Sequence, residues 1–315
     1  MLGIGEVAAI ATSAFWAISA LFFTIAGRRV SSPVVNVTRL VIAMVLIAGI
    51  HFYLHGTIFP FHTEAWRWGW LSLSAVLGLV IGDAALFSAY VRIGPQLSML
   101  VMTLTPVFSA IGAWWCFQEQ IQPVEMAGIA VTIAAIGWVV TEKREMPEQD
   151  DTTVTIPEAV NSRSNYLLGI VLALVGSLGQ TANLVFTKFS LTDNYSTLSA
   201  TEIRIFVSTI CLVLWFAVAG RGPAMLTRLR DARSLMLITA GAIVGPILGI
   251  WASYVSIQYT RIGIASTIMA TPPLLLIPLG AIFLNDRMTA RSVMGTMFAL
   301  VGVAILFLGN GVAAS

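Results

Sequence analysis

The sequence predicts an all-α integral membrane protein with ten transmembrane helices in two inverted five-helix repeats. Three observations predict this fold class: an apolar composition, ten apolar runs of spanning length, and a set of motifs that recurs once along the chain. Hydrophobic residues make up 57% of the 315 residues and charged residues only 10%, against about 45–50% and about 25% in soluble domains. These charges are too few to cover a soluble surface, so most of the chain is expected to lie in lipid.

The apolar runs divide into two groups of five. A helix that crosses the hydrocarbon core needs about 20 mostly apolar residues. In the first half of the chain such runs lie near 6–26, 33–54, 69–90, 96–117 and 124–141. In the second half they lie near 166–187, 199–219, 235–257, 264–284 and 291–309. We number these runs as spans 1 to 10 in chain order.

One long hydrophilic segment, residues 142–165, separates the two groups. It is rich in acidic residues and contains Pro147 and Pro157. Such a composition cannot bury an apolar core, which is typical of a mobile linker. The predicted organisation is therefore a first repeat over residues 4–141, a polar linker over 142–165 and a second repeat over 166–311.

The second group of spans repeats the motifs of the first. Tyr90-Val-Arg-Ile-Gly94 returns as Tyr259-Thr-Arg-Ile-Gly263, and an arginine opens the second span of each half. The paired positions include Arg39 and Arg204, Gly78 and Gly245, Gly82 and Gly249, Pro106 and Pro273, and Glu119 and Asp286, most of them 167 residues apart. A single match could arise by chance, but an ordered set of matches indicates an internal duplication.

An odd number of spans in each repeat means that the second repeat enters the membrane from the opposite side. Inverted repeats of this kind are typical of secondary transporters that work by alternating access. A duplication that only builds a stable symmetric bundle is the alternative interpretation.

Arg39 and Asp83 are charged residues inside spans, and intramembrane charges usually mark function. Arg39 lies roughly 9 Å and Asp83 roughly 10 Å from the same membrane face, at 1.5 Å of rise per residue. An ion pair between them is therefore geometrically allowed. It would either be a structural salt bridge, or the site where Asp83 takes up protons or the pair binds a zwitterion.

Further candidate residues lie in spans 1, 4, 6, 7, 8 and 9. Arg204 is expected at a similar depth from the other face, and Gln180 and Asn183 either line a polar cavity or bond between helices. Trp16 and Trp251 are deep enough to flank an apolar or aromatic substrate, or else they pack in the core. Prolines in the middle of spans 4 and 9 should kink those helices, either as gates or as static bends; these are Pro106, Pro272 and Pro273.

These motifs resemble the drug/metabolite transporter superfamily, of the EamA type. The resemblance rests on the basic residue opening the second helix of each repeat, the small-residue third helix, the proline in the fourth and the acidic residue after it. Gln118-Glu119 and Asn285-Asp286 depart from the Gly-Glu that is usual there. The resemblance implies ten spans in two repeats and the export or exchange of small metabolites or drugs.

The predicted function is secondary active transport that exports a small metabolite such as an amino acid, driven by a proton gradient or by exchange, with Asp83 carrying the proton. Multidrug efflux is the first alternative, and a channel-like or sensory membrane protein is the second. The sequence contains no His-Glu-x-x-His, Gly-x-Ser-x-Gly or phosphate-binding Gly-x-x-x-x-Gly-Lys motif, which argues against an enzyme or an ATP-driven pump.

No cofactor, metal or nucleic-acid partner is expected from these patterns. The expected partners are the lipid bilayer and a small-molecule substrate, and the expected assembly is a monomer or a weak homodimer. The expected location is the bacterial cytoplasmic (inner) membrane, as a multi-pass protein.

Two arguments about orientation disagree. Setting aside Arg39 and Arg204, twelve of the Lys and Arg residues follow odd-numbered spans and three lie on the other face. The positive-inside rule then places the 142–165 linker in the cytoplasm and both termini outside. The family resemblance implies termini on the inside. We follow the charge count.

Overall fold

The computed structural model describes residues 3–118, 120–141, 163–193, 195–260, 262–284 and 289–313. This part of the chain contains ten helices long and apolar enough to cross a membrane, as the sequence predicts. Spans 1 to 5 are Ile4–Val30, Ser32–His55, Ala65–Ile93, Pro95–Cys116 and Pro123–Val140. Spans 6 to 10 are Ser164–Ser190, Thr197–Val218, Ala232–Ser253, Ile264–Leu284 and Ala290–Phe307. Glu119, Asp286 and residues 142–162 of the linker lie outside the described residues.

Spans 3 and 8 each contain a π-helical segment at the equivalent position. The segments are Val76–Gly82 and Ile243–Gly249, seven residues each and 167 residues apart. A π-helix is rare and often marks a functional site, because its i→i+5 bonds displace the following turn. Its recurrence at the repeat spacing is a structural sign of the duplication.

Spans 4 and 9 are each interrupted in the middle, close to the prolines. Span 4 consists of Pro95–Met102 and Leu104–Phe117, and Thr103 between them donates its backbone N–H to the carbonyl of Leu100 at 3.1 Å. Pro106 lacks the N–H that would bond the carbonyl four residues earlier. In span 9 the second helix begins at Pro272, a position that tolerates proline because its N–H is not needed.

The most extensive helix pairings run between the two halves. Span 1 packs along span 8, and span 6 packs along span 3, which is the same pairing with the repeats exchanged. Spans 2 and 7, spans 4 and 9, and spans 5 and 10 also pair with their own counterparts. This is the arrangement that an inverted duplication produces.

Glycines allow the closest of these approaches. A Cβ atom at Gly179 in span 6 would lie 2.6 Å from the Cα of Gly82 in span 3. In the other pair, a Cβ at Gly245 would lie 2.5 Å from Ser19 Oγ in span 1. Such close contact gives van der Waals attraction where lipid supplies no hydrophobic driving force between helices.

Candidate functional site

Arg39 in span 2 and Asp83 in span 3 form an ion pair inside the bundle. The two residues are 8% and 6% exposed, so both charges are withdrawn from solvent and from lipid. Asp83 directly follows the π-helical segment of span 3. The structure therefore joins the two intramembrane charges that their depths allow to meet.

The Arg39 guanidinium has two further partners. Its Nε and one Nη donate to Oδ1 of Asn36, one turn earlier, at 3.1 and 3.0 Å. The Asn36 amide donates in turn to the carbonyl of Leu79, inside the π-helical segment, at 3.2 Å. The ring centroid of Phe87 lies 4.9 Å from Arg39 Cζ, within cation–π range. Arg39 is thus held by one charge, one amide and one aromatic face.

Span 6 provides a hydrogen bond to the second carboxylate oxygen of Asp83. Gln180 Nε2 donates to Asp83 Oδ1 at 2.8 Å, and Asn183 Nδ2 donates to Gln180 Oε1 at 3.1 Å. The Gln180 amide therefore bonds from span 6 to span 3, and the Asn183 amide bonds along span 6. We call Asn36, Arg39, Asp83, Gln180 and Asn183 together the central network.

Arg204 in span 7 faces the central network without such partners. Its buried Nε has no hydrogen-bond partner among the described residues. Its charge interacts electrostatically with Asp83, whose carboxylate is already paired with Arg39. An unneutralised guanidinium inside a span is costly, and such residues usually face a cavity or a substrate path.

The repeat explains why Arg204 has no counter-ion among the residues that the structure describes. Asp83 follows Gly82 in span 3, and the residue that follows Gly249 at the equivalent point of span 8 is Ile250. Three residues before Arg204, where the first repeat has Asn36, stands Thr201, whose hydroxyl donates to a carbonyl of its own helix at 2.7 Å. The two arginines are equivalent by position, but only the first has an acid and an amide to bind.

The two candidate tryptophans lie in different surroundings. Trp16 is half-buried against span 8, where a Cβ at Gly249 would lie 3.2 Å from its Nε1. Trp251 is 66% exposed. It comes two residues after Gly249, about 200° further around the helix at 3.6 residues per turn, so it points away from span 1.

The helix breaks of spans 4 and 9 are bonded to spans 6 and 1. Thr105 Oγ1 lies 3.0 Å from Ser177 Oγ in span 6, and Thr271 Oγ1 lies 2.8 Å from Ser13 Oγ in span 1. Irregular backbone at membrane depth needs such polar neighbours. Each break is therefore secured to the first helix of the opposite repeat.

Sequence reasoning missed a buried arginine at the face where spans 2 and 6 end. Arg67 opens span 3, is 3% exposed and pairs with Glu64 at 2.8 Å and Asp193 at 3.2 Å. Its guanidinium also lies over the rings of Trp66 and Tyr195. Glu64, three positions before it, and Asp193, in the loop after span 6, were the available signal for this cluster.

A second missed cluster lies at the same face, between spans 2 and 7. His51 and Glu202 are each 2% exposed, and His51 Nδ1 lies 3.6 Å from Glu202 Oε2. The packing of span 2 on span 7 covers both side chains.

Comparisons with known proteins agree with this architecture. The model of the family described as the EamA-like transporter family matches residues 3–141 and 167–308. The sequence has no significant match among curated protein sequences. A solved structure titled only "Crystal structure of protein" is similar over 99% of both chains, with a TM-score of 0.60 and 13% identity. At that identity the likeness supports the fold alone.

Proposed function

Because the chain belongs to the EamA-like transporter family, we propose that it is a secondary active transporter that exports a small zwitterionic metabolite, such as an amino acid, by alternating access. The observation that carries this proposal is the contrast between the neutralised Arg39–Asp83 pair and the unneutralised Arg204 beside it. The protein is a multi-pass membrane protein, and we place it in the bacterial cytoplasmic membrane.

A zwitterion suits the charges that surround the site. Its carboxylate would accept hydrogen bonds from the Arg204 guanidinium, and charge-assisted bonds of this kind are about twice as strong as neutral ones. The amides of Gln180 and Asn183 offer polar contacts to its ammonium group. Trp16 supplies an apolar surface on the span 1 side.

The helix breaks suit alternating access. They lie at equivalent positions of the two repeats, and each is bonded to the first helix of the other repeat. Rocking of one repeat against the other would exchange these contacts and open the site to each face in turn. A proton gradient or substrate exchange supplies the energy, and Asp83 is the proposed proton carrier, because a proton on it would break its ion pair with Arg39.

Multidrug efflux fits the site less well. A hydrophobic cation entering the membrane is best bound by a carboxylate that is free of other charges. Asp83 is the carboxylate of the central network, and Arg39 already neutralises it. The excess charge at the site is the positive charge of Arg204, which attracts anions.

A ligand-protection screen tests the proposal. The melting temperature of the purified protein is measured with amino acids, with their methyl esters and amides, and with hydrophobic cations. A true ligand at about 100 times its Kd stabilises the folded state by about 2.7 kcal/mol. We expect protection by amino acids that the esters, which lack the carboxylate, do not give.

Variants connect the result to the site. Arg204→Gln should lose the protection, whereas Arg221→Gln, which changes an exposed arginine after span 7, should keep it. Protection by hydrophobic cations alone would support the drug-efflux alternative. Equal protection of wild type and Arg204→Gln would remove Arg204 from the site.

A further inference from the structure

The His51–Glu202 cluster is not used by the proposed transport site. It lies where span 2 ends and span 7 begins, on the helices that carry Arg39 and Arg204. The cluster consists of His51, Thr57, Ser199 and Glu202. The side chains of His51 and Glu202 are both almost fully buried, so the protonation state of each group affects the stability of this helix contact.

The contacts of His51 fix one of its protons. Nδ1 lies 2.7 Å from the carbonyl oxygen of Thr57. A carbonyl only accepts, so Nδ1 must carry a hydrogen. Nε2 lies 3.1 Å from Ser199 Oγ and either accepts from that hydroxyl, when the ring is neutral, or donates to it, when the ring is charged.

Glu202 lacks the partners that a buried carboxylate needs. Its Oε2 is buried and has no hydrogen bond to any described residue. An ionised carboxylate in such surroundings is costly unless a positive charge lies close to it. The costly state is avoided when one proton is present on the pair, either on Glu202 itself or on His51 as the neighbouring cation.

The other charged groups described near Glu202 do not supply a positive charge that would neutralise it in place of that proton. Arg67 is engaged by Glu64 and Asp193, and the Tyr195 hydroxyl is bonded to Thr63. On the remaining neighbouring elements, His55 stacks on the His51 ring with centroids 4.6 Å apart, and Lys188 lies in the last turn of span 6. Among the described ion pairs, His51 is the partner of Glu202, with Nδ1 3.6 Å from Oε2.

We propose that His51 and Glu202 form a one-proton binding site that holds the end of span 2 against the start of span 7. The pair keeps one proton while these helix ends are packed together, and it releases the proton when they separate and water reaches both groups. The exposed His55 stacks on the His51 ring. This proposal depends neither on Asp83 nor on the identity of a transported substrate.

The pH dependence of the melting temperature tests the proton count. In an unfolded chain a histidine loses its proton near pH 6.5 and a glutamate near about pH 4.3. Above about pH 6.5 the folded wild type therefore holds one more proton than the unfolded chain, and its stability falls as the pH rises. The folding equilibrium constant should fall by up to about tenfold per pH unit until the pair loses its proton.

Substitutions of His51 and of Glu202 should change the pH dependence of stability in different ways. In Glu202→Gln the decrease above about pH 6.5 should disappear, because the proton no longer neutralises a carboxylate. In His51→Gln the decrease should begin near about pH 4.3, because Glu202 alone must keep the proton. His62→Gln, an exposed histidine of the loop after span 2, should follow wild type. Wild-type profiles in both pair variants would overturn the proposal.

A second measurement leaves the pair intact. His55 and His62 are exposed, so the double variant His55→Gln/His62→Gln has His51 as its one remaining histidine. Nitrogen NMR of ¹⁵N-labelled histidine in this variant should show a hydrogen on Nδ1 over the whole range from about pH 5 to about pH 8. A ring with its hydrogen on Nε2 alone, titrating as in a free peptide, would overturn the proposal.

Discussion

At the scale of single residues, Arg39 and Arg204 occupy equivalent positions of the two repeats in different surroundings. Arg39 is bonded to Asp83 and Asn36. In the repeat that contains Arg204, the position equivalent to Asp83 is occupied by Ile250. Removing one partner of a buried ion pair costs roughly 3–5 kcal/mol, since it leaves an uncompensated charge. Arg204 carries such a charge in the structure, and a carboxylate ligand would compensate it.

The Asp83→Asn variant tests the proposed role of Asp83 in energy coupling. Without an acidic group the central network cannot take up the coupling proton. Proton-driven accumulation of substrate in proteoliposomes should then be lost, while exchange of internal for external substrate is partly kept. Undiminished accumulation against a gradient would contradict the role assigned to Asp83.

Asp231→Asn is the matched control for this variant. Hydrogen bonds from Arg29 and Ser234 hold the pKa of Asp231, which precedes span 8, well below its usual range. Asp231 is therefore ionised throughout the working pH range, and its loss should leave coupling intact. Because Asp83→Asn strands the charge of Arg39, the double variant Arg39→Gln/Asp83→Asn shows whether lost transport reflects unfolding.

Residue depth could be predicted from the sequence, but side-chain direction could not. Counting residues from a span end placed Arg39 and Asp83 at one depth, and the structure pairs them. Counting could not show that Trp251 is exposed or that Glu202 is buried. Both depend on how a helix is rotated about its axis, which is set by its packing partners.

At the scale of helices, the sequence predicted the ten spans and located the breaks, but it did not predict the π-helical segments. Glycines four residues apart in spans 3 and 8 lie at close contacts with neighbouring helices. The π-helical turns arise at the same glycines, Gly78 and Gly82 in span 3. Spacing alone does not distinguish an α-helical turn from a π-helical one.

Gly179→Ala should destabilise the contact between spans 3 and 6. The added Cβ would lie 2.6 Å from the Cα of Gly82, and backbone atoms cannot move aside as a side chain can. Overpacking of this kind costs about 1–3 kcal/mol, which thermal unfolding in detergent would detect.

Gly137→Ala provides the control in span 5. A Cβ at Gly137 meets no atom within 4 Å, and alanine is a better helix former than glycine by about 1 kcal/mol. This variant should melt at or above the wild-type temperature. Equal destabilisation by the two substitutions would show that the close contact is not the cause.

At the scale of the whole molecule, the inverted repeat is visible in which helices pair. Spans 1 and 8 repeat the pairing of spans 6 and 3, and spans 2, 4 and 5 pair with their own counterparts. The sequence motifs predicted the duplication and the inversion. They could not show which spans touch, because the same motifs are compatible with several arrangements of ten helices.

Orientation is decided by two accessible positions on opposite faces. Thr192 precedes span 7 on the face that has few basic residues, and Thr227 lies before span 8 on the basic face; both are exposed. With Cys116 and Cys211 replaced, the charge count predicts that an impermeant maleimide applied to intact cells labels Thr192→Cys and not Thr227→Cys. Labelling of Thr227→Cys alone would show that the family's usual orientation holds here.

The central claim is that this chain transports a small zwitterion by alternating access. The most direct test is counterflow: purified protein in proteoliposomes loaded with unlabelled substrate, and uptake of labelled substrate measured without any gradient of ions. The account predicts saturable uptake that requires internal substrate, is inhibited by external unlabelled substrate and is lost in Arg204→Gln. Uptake that is unsaturable and independent of internal substrate would contradict it and indicate a channel.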